Sequence, residues 1–118
     1  MLDLDRFKDY NDERGHQAGD QLLTQAATAW HAVLRPYDVL ARYGCEEFSL
    51  LLPDVDLDDA VALVERLRAA TPEGESCSAG VAAWDGEEDA EALVGRADAA
   101  LYEAKRSGRD RVSVAARV

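Results

Sequence analysis

Four carboxylates in two short segments of this sequence have the residue types and spacing of a metal site. Met1 to Asp5 alternates apolar and acidic residues, which predicts a strand with Asp3 and Asp5 on one face, roughly 6.6 Å apart. Glu46 and Glu47 lie at the tip of a predicted hairpin, and one of them meets Asp3 if the hairpin pairs beside the first strand. Hard oxygen ligands at a strand end suit Mg²⁺ or Mn²⁺. A solvated acidic edge is the alternative interpretation.

The charge balance limits what this chain can bind. It carries 13 Lys and Arg against 24 Asp and Glu, a formal net charge of −11, which excludes a broad basic face for nucleic acid or an anionic membrane. A small anionic ligand held by a few cations beside a metal is compatible with it. Only two lysines occur, Lys8 and Lys105. The structural alternative for Lys105 and Arg109 is a cationic turn that interacts favourably with the dipole at the C-terminus of the last helix.

Length and periodicity predict one domain with a mixed sheet. The 118 residues fit a single domain, and a ββ hairpin among α/β units favours an α/β (α+β) fold, with helices flanking one mixed central sheet. Alternation predicts strands at 1–5, 38–43, 47–52, 76–84 and 111–115. Apolar spacing of three and four predicts helices at 16–34, 57–67 and 90–104, the last with Gly108 as its C-cap.

The ends and the cysteines of the chain give two further expectations. Cys45 and Cys77 are too few for a disulfide framework, and no signal peptide is evident, so we expect a cytoplasmic setting. The first strand begins at residue 1 although its apolar face suggests a central position, so we expect an upstream segment.

Three separate motifs, in order along nearly the whole chain, give the sequence a family resemblance. Asp3-Leu4-Asp5-Arg6-Phe7-Lys8 with Asn11-Asp12, Gly15-His16 and Gly19-Asp20 resembles the opening of the GGDEF domain of diguanylate cyclases. The run from Arg42 to Phe48 resembles the signature loop of that family, and the run from Ala100 to Asp110 resembles its closing helix and turn. The resemblance implies a palm-like nucleotidyl-cyclase fold over residues 1–118, without the usual upstream helix.

The resemblance also implies an activity and the residues that perform it. Members of the family condense two GTP into cyclic di-GMP and two pyrophosphates, with one GTP on each of two facing subunits. By resemblance, Asp3, Glu46 and the Leu4 carbonyl would bind Mg²⁺ or Mn²⁺, with Glu47 beside them. The implied GTP contacts are Asn11 and Asp20 to guanine, Phe7, Leu23 and Gly44 lining the pocket, and Lys8, Lys105 and Arg109 to the phosphates.

A second site is implied by the segment before the hairpin. Arg35-Pro36-Tyr37-Asp38 is similar to the Arg-x-x-Asp site at which cyclic di-GMP inhibits the family, and Arg66 resembles the arginine that completes it. A guanidinium presents a planar fork that suits a phosphate or a guanine edge. The alternative is structural, because Arg35 ends a helix, Pro36 breaks it and Asp38 opens a strand.

Two departures from the family pattern keep alternative functions open. Cys45 replaces the usual second glycine of the loop, and a two-residue turn would require a positive φ at Gly44. The usual upstream Asp-x-Leu-Thr-Gly-Leu-x-Asn-Arg stretch is also missing. We therefore weigh a homodimeric cyclase, controlled by a sensory domain, against a weakly catalytic domain that binds cyclic di-GMP. A palm-like enzyme with another product ranks last, because Asp20 and Asn11 favour guanine. No nucleic-acid or membrane contact is expected.

Overall fold

A five-stranded mixed sheet organises the chain in a computed structural model that describes residues 1–116. The strand order is β2-β3-β1-β4-β5. In chain order the elements are β1 (Leu2–Leu4), α1 (Phe7–Arg14), α2 (His16–Val33), β2 (Val39–Arg42), β3 (Glu47–Leu51), α3 (Leu57–Ala69), β4 (Cys77–Val81), α4 (Ala90–Arg106) and β5 (Val112–Val114).

The first strand lies at the centre of the sheet, as its apolar face predicts. It pairs antiparallel with β3 on one side and with β4 on the other, while β4 and β5 are parallel. Leu2 and Leu4 are each 2% exposed, and Asp3 between them projects from the opposite face. The mixed sheet and the pairing of the hairpin beside β1 are therefore confirmed.

Helices cover both faces of the sheet. Trp30 of α2 packs edge-on against Phe48 of β3, with ring centroids 5.1 Å apart, and its indole donates to the Thr71 hydroxyl just after α3. On the other face α4 lies very close to β4, because a β-carbon on Gly80 would meet the Ala97 carbonyl oxygen at 2.2 Å. No helix in residues 1–116 has the length and apolar character needed to cross a membrane.

The long helices begin and end where the sequence predicts. Asp56 caps α3 by accepting from the Asp59 amide, and Asp89 caps α4 by accepting from the Ala92 amide. Gly108 follows the end of α4 with φ +122°, a conformation that favours glycine. The C-cap residue itself is Ser107, one residue before the predicted Gly108.

Helix α1 is the element that the sequence prediction misses. Its eight residues are mostly charged or polar, so it shows no continuous apolar stripe. Only Phe7 and Tyr10 bury their side chains, one turn apart, and tertiary packing through these two rings holds the helix. Gly15, with φ +90°, separates α1 from α2.

Candidate active site

Three of the four predicted carboxylates, Asp3, Glu46 and Glu47, lie near one another at the end of β1, whereas Asp5 is bound by Ser76 and Ser78. Asp3 lies opposite Glu47 in the β1–β3 register, and the Leu4 amide donates to the Glu46 carbonyl at 3.3 Å. Asp3 is 1% exposed, and its Oδ2 is paired with the Lys105 ammonium group. Its Oδ1 is buried without a hydrogen-bond partner.

Burial makes Asp3 hard to ionise. The pKa of Asp3 is raised to about 6, chiefly by desolvation and to a lesser extent by Glu46 and Glu47, against the lowering effect of Lys105. A divalent cation at Oδ1 would supply the missing partner and compensate this cluster of negative charge. The site therefore has the electrostatic character of a cation site.

The donor set fits magnesium better than a metal that needs a closed protein cage. Within residues 1–116, no three His, Cys, Asp or Glu side chains converge on one point. Mg²⁺ typically takes one or two carboxylates and completes its shell with water and substrate phosphate oxygens. The predicted set of Asp3, Glu46 and the Leu4 carbonyl matches this habit.

An open cavity of about 590 Å³ lies between α2 and the β2–β3 hairpin. Asp20 and Leu23 line it, as the resemblance implies, together with Arg42 and Phe48. The resemblance includes Arg42 in the loop motif without implying a role for it. Its place directly before Tyr43-Gly44 is the sequence signal that indicates a role in the loop.

Asn11 is held at its position by Gly19. A β-carbon on Gly19 would lie 1.7 Å from Asn11 Oδ1 and 3.2 Å from Phe7 Cζ, so only glycine permits this approach of α1 to α2. Asn11 Oδ1 is buried and lacks a hydrogen-bond partner. Asn11 lies in helix α1 and not in a turn.

Asp20 lies beyond the first turn of α2. Helix α2 begins at His16 and has no acidic residue in its first turn, so Asp20 is not a dipole-stabilised first-turn acid. It is exposed at the rim of the cavity. Phe7, by contrast, belongs to the hydrophobic core beneath Gly19.

The three candidate phosphate ligands have different surroundings. Lys105, in the last turn of α4, reaches the acidic cluster through its ion pair with Asp3. Lys8 is exposed in the first turn of α1. Arg109 is exposed in the turn after α4, with φ +63°. The structure thus brings Lys105 to the carboxylates and leaves Lys8 and Arg109 open to solvent.

A second cavity, of about 570 Å³, is largely apolar and lies apart from these residues. Val39, Leu51, Trp84 and Val94 contribute exposed apolar surface to it. None of the candidate site residues lines it. We therefore base no catalytic role on this cavity.

Comparison with known proteins assigns the family. The family model of the diguanylate cyclase GGDEF domain matches residues 1–111. The chain belongs to the GGDEF domain family. It is 47% identical to diguanylate cyclase DgcP of Pseudomonas aeruginosa, over 98% of this chain and 19% of that protein. The curated relatives are much longer, since this chain covers 11% of DgcE and 34% of diguanylate cyclase A.

Solved GGDEF structures have the same fold. Diguanylate cyclase SiaD of Pseudomonas aeruginosa, in complex with its activator SiaC, aligns with a TM-score of 0.91 at 43% identity, over 97% of this chain and 48% of that chain. The GGDEF domain of DgcB from Caulobacter crescentus, in complex with c-di-GMP, aligns at 0.89 and 34% identity, over 96% and 74%. The predicted family and fold class are confirmed.

The GGDEF signature loop differs from the predicted two-residue turn. The Tyr43 amide donates to the Glu47 carbonyl at 2.7 Å, so three residues separate this pair. Gly44 and Cys45 are both absent from the positive-φ residues of the described chain, and a β-carbon on Gly44 would only touch the Glu47 side chain at 3.5 Å. The prediction of a positive φ at Gly44 is wrong, and Cys45 fits the loop without backbone strain.

The Arg42 side chain stabilises this loop by hydrogen bonds to its backbone. Its guanidinium donates to the Gly44 carbonyl at 3.2 Å and to the Cys45 carbonyl at 2.6 Å. Cys45 itself is exposed, whereas Cys77 is buried, and burial raises the pKa of the Cys77 thiol to about 12. Neither cysteine forms a disulfide.

The Arg-x-x-Asp segment forms a closed ion pair. Arg35 Nη2 lies 2.7 Å from Asp38 Oδ1 and also donates to the Pro53 carbonyl. The hydrogen bond from Arg35 lowers the pKa of Asp38. The Arg35 guanidinium lies over the Tyr37 ring at 4.8 Å, and Arg66 is exposed in the last turn of α3. The structure thus preorganises Arg35 and Asp38.

Proposed function

We propose that this chain is the catalytic domain of a diguanylate cyclase, which condenses two GTP into cyclic di-GMP and two pyrophosphates. One observation carries the proposal. Within residues 1–116, the buried side-chain oxygens without a hydrogen-bond partner are Asp3 Oδ1 and Asn11 Oδ1. Buried polar groups are normally paired, so unpaired ones at a candidate metal ligand and a candidate base ligand indicate missing ligands.

The reaction forms two phosphodiester bonds. In each, the 3′ oxygen of one GTP bonds to the α-phosphorus of the other, the bond to the β-phosphate oxygen breaks, and the hydroxyl proton leaves. A bound Mg²⁺ or Mn²⁺ would lower the pKa of the attacking hydroxyl group and would offset the negative charge that develops on the departing pyrophosphate. Asp3, Glu46 and the Leu4 carbonyl would hold it, and the Glu47 carboxylate lies beside the same edge.

The base and the phosphates would be bound from opposite ends of the site. An ionised Asp20 only accepts hydrogen bonds, so it can take both N1–H and the exocyclic amine of guanine, a pattern that adenine lacks. Asn11 would complete the purine edge, with Leu23 and Phe7 as apolar support. Gly44 would allow close approach, and the phosphate ligands would be Lys8, Lys105 and Arg109.

Catalysis would need two copies of the domain, because one site holds one GTP and two must face each other. We infer a homodimer, with GTP as a cytoplasmic substrate and with residues 1–118 as one domain. A sensory or activating partner would control dimer formation. The complex of SiaD with its activator SiaC supports control of this kind.

Product feedback would act through Arg35, Asp38 and Arg66. Arg35 is held in a fixed orientation by Asp38 and Pro53, which lowers the entropy cost of using its remaining edge for a phosphate or a guanine. The DgcB neighbours are complexes with c-di-GMP, which supports product binding to this fold.

The test is incubation of the protein with GTP and Mg²⁺, followed by chromatography of the products. Wild type should form cyclic di-GMP, and Asp3→Asn and Glu46→Gln should abolish turnover while the circular dichroism spectrum is retained. Asp9→Asn makes the same charge change at an exposed position of α1 and should remain active. Undiminished turnover in Asp3→Asn and Glu46→Gln would refute the metal assignment.

A second candidate is a catalytically weak domain that binds cyclic di-GMP. It is favoured by one observation, the preformed Arg35–Asp38 pair, which is built without any residue of the acidic cluster. If the dimeric protein binds cyclic di-GMP but forms no product from GTP, this candidate is supported over the enzyme.

A further inference from the structure

Asp5 is a buried carboxylate that the proposed reaction does not use. It is 4% exposed and accepts three hydrogen bonds. The Ser76 and Ser78 hydroxyls donate at 2.6 Å each, and the Asp110 amide donates at 3.0 Å. Two donors belong to the β4 region and the third to the turn after α4. One carboxylate thus joins the end of β1 to two distant segments.

The turn after α4 needs such an anchor. Arg109 and Asp110 have φ values of 63° and 47°, and two consecutive left-handed residues that are not glycine are strained. Such a conformation persists only where its surroundings hold it. Besides Asp5, the turn is held by the Arg109 amide, which donates to the Ala104 carbonyl, and by Arg111, which donates to the Arg109 carbonyl. Arg68 donates to the carboxylate and the carbonyl of Asp110.

We propose that Asp5 is a positioning residue for the phosphate end of the GTP site. It fixes the turn that carries Arg109 relative to Asp3, which lies two residues before it in the chain. This role rests on the proposed function, because Arg109 is assigned there to the phosphates. Asp5 touches no reacting atom, and it acts through the backbone of the turn.

The first arm of the test needs no nucleotide. Asp5→Asn keeps the size of the side chain and replaces a charged acceptor by a neutral one, which forms weaker hydrogen bonds. Amide hydrogen exchange at Asp110 should become about five- to tenfold faster, from the difference between charged and neutral hydrogen bonds. Asp9→Asn, with the same charge change at an exposed site, should leave this exchange unchanged.

The second arm measures affinity for GTP with Mg²⁺ in the folded protein. Asp5→Asn should weaken binding about five- to tenfold, by the same difference in hydrogen-bond strength, and in the active dimer it should raise KM more than it lowers kcat. In an Arg109→Ala background, Asp5→Asn should have little further effect, because both changes act through one contact. A purely structural role would lower stability and leave GTP affinity unchanged.

The outcomes separate this inference from the proposed function. Unchanged exchange at Asp110, unchanged GTP affinity or fully additive effects with Arg109→Ala would each overturn the role of Asp5. A wild type that fails to bind GTP would refute the proposed function and with it this role, while the exchange data would still show whether Asp5 holds the turn. If Asp5→Asn does not fold, Ser76→Ala replaces it, because it removes a donor to the Asp5 oxygen that also accepts from the Asp110 amide. Ser76→Ala should speed amide exchange at Asp110 and weaken GTP binding, each about two- to threefold.

Discussion

Ionisation of Asp3 should make the ligand-free domain less stable as pH rises. The pKa of Asp3 is about 6 in the folded protein, against an ordinary value of 3.8. A group with a raised folded-state pKa contributes stability below its unfolded pKa, and that contribution is lost as pH rises through the folded pKa. From a pH below the unfolded-state pKa to a pH above the folded-state pKa, the stability lost is about 3 kcal/mol, taking about 1.4 kcal/mol per pKa unit.

The measurable part of this effect lies above the pI of about 4.5, near which the protein carries little net charge. Between about pH 5 and about pH 7.5, ionisation of Asp3 should lower the free energy of unfolding of the wild type by about 1 kcal/mol. Asp3→Asn removes this titration. Urea unfolding at several pH values should therefore show the variant gaining about 1 kcal/mol over the wild type across that range.

Ligand should reverse the order of the two proteins. With Mg²⁺ and GTP at about 100 times Kd, wild type should gain about 2.7 kcal/mol of stability, and Asp3→Asn should gain little. Asp9→Asn controls for the change in net charge. If the difference in free energy of unfolding between wild type and Asp3→Asn stays constant from about pH 5 to about pH 7.5, the assignment of Asp3 as a carboxylate that is hard to ionise and binds the metal would be falsified.

Three further predictions concern the ligands. At equal Mg²⁺, GTP should protect the domain against thermal unfolding and ATP should not, because Asp20 offers paired acceptors to guanine alone; equal protection would contradict this. Gly19→Ala should weaken GTP binding about tenfold, since its methyl group would lie 1.7 Å from Asn11 Oδ1 and overpacking costs about 1–3 kcal/mol. Calorimetric titration measures the effect, with Gly95→Ala, where the β-carbon meets nothing within 4 Å, as the control. Arg35→Ala should weaken cyclic di-GMP binding by about 1–3 kcal/mol and leave GTP binding unchanged, and identical dissociation constants would leave only its structural role.

The elements that the sequence predicts correctly are those with a local signal. Helices α2, α3 and α4 have long apolar stripes with capping residues or helix breakers at their ends, so their bounds follow from spacing alone. The β2–β3 hairpin follows in the same way from two β-prone runs around Gly44. The sequence leaves open whether Glu46 or Glu47 meets Asp3, and the register of the structure places Glu47 opposite it.

Two of the misses, helix α1 and the partners of Asp5, depend on tertiary contacts, and the third depends on the register of the hairpin. Helix α1 is stabilised by the burial of Phe7 and Tyr10, which its mostly polar sequence does not indicate. The register of β2 and β3 determines the length of the hairpin loop. Gly44 favours a two-residue turn, but the Tyr43–Glu47 hydrogen bond encloses three residues. The partners of Asp5 lie 71 to 105 residues away, beyond any local pattern.

The charge of the whole chain is a poor guide to the candidate site, because the two halves of the site have opposite local charge. Asp3 pairs with Lys105 at the sheet edge and is repelled by Glu46 and Glu47, so three carboxylates against one ammonium group leave an excess of about two negative charges, which one divalent ion would neutralise. The triphosphate would then meet that ion together with Lys8, Lys105 and Arg109. A chain with a net charge of −11 can therefore bind an anionic nucleotide, since the interaction is decided within a few ångströms and is screened beyond about 10 Å.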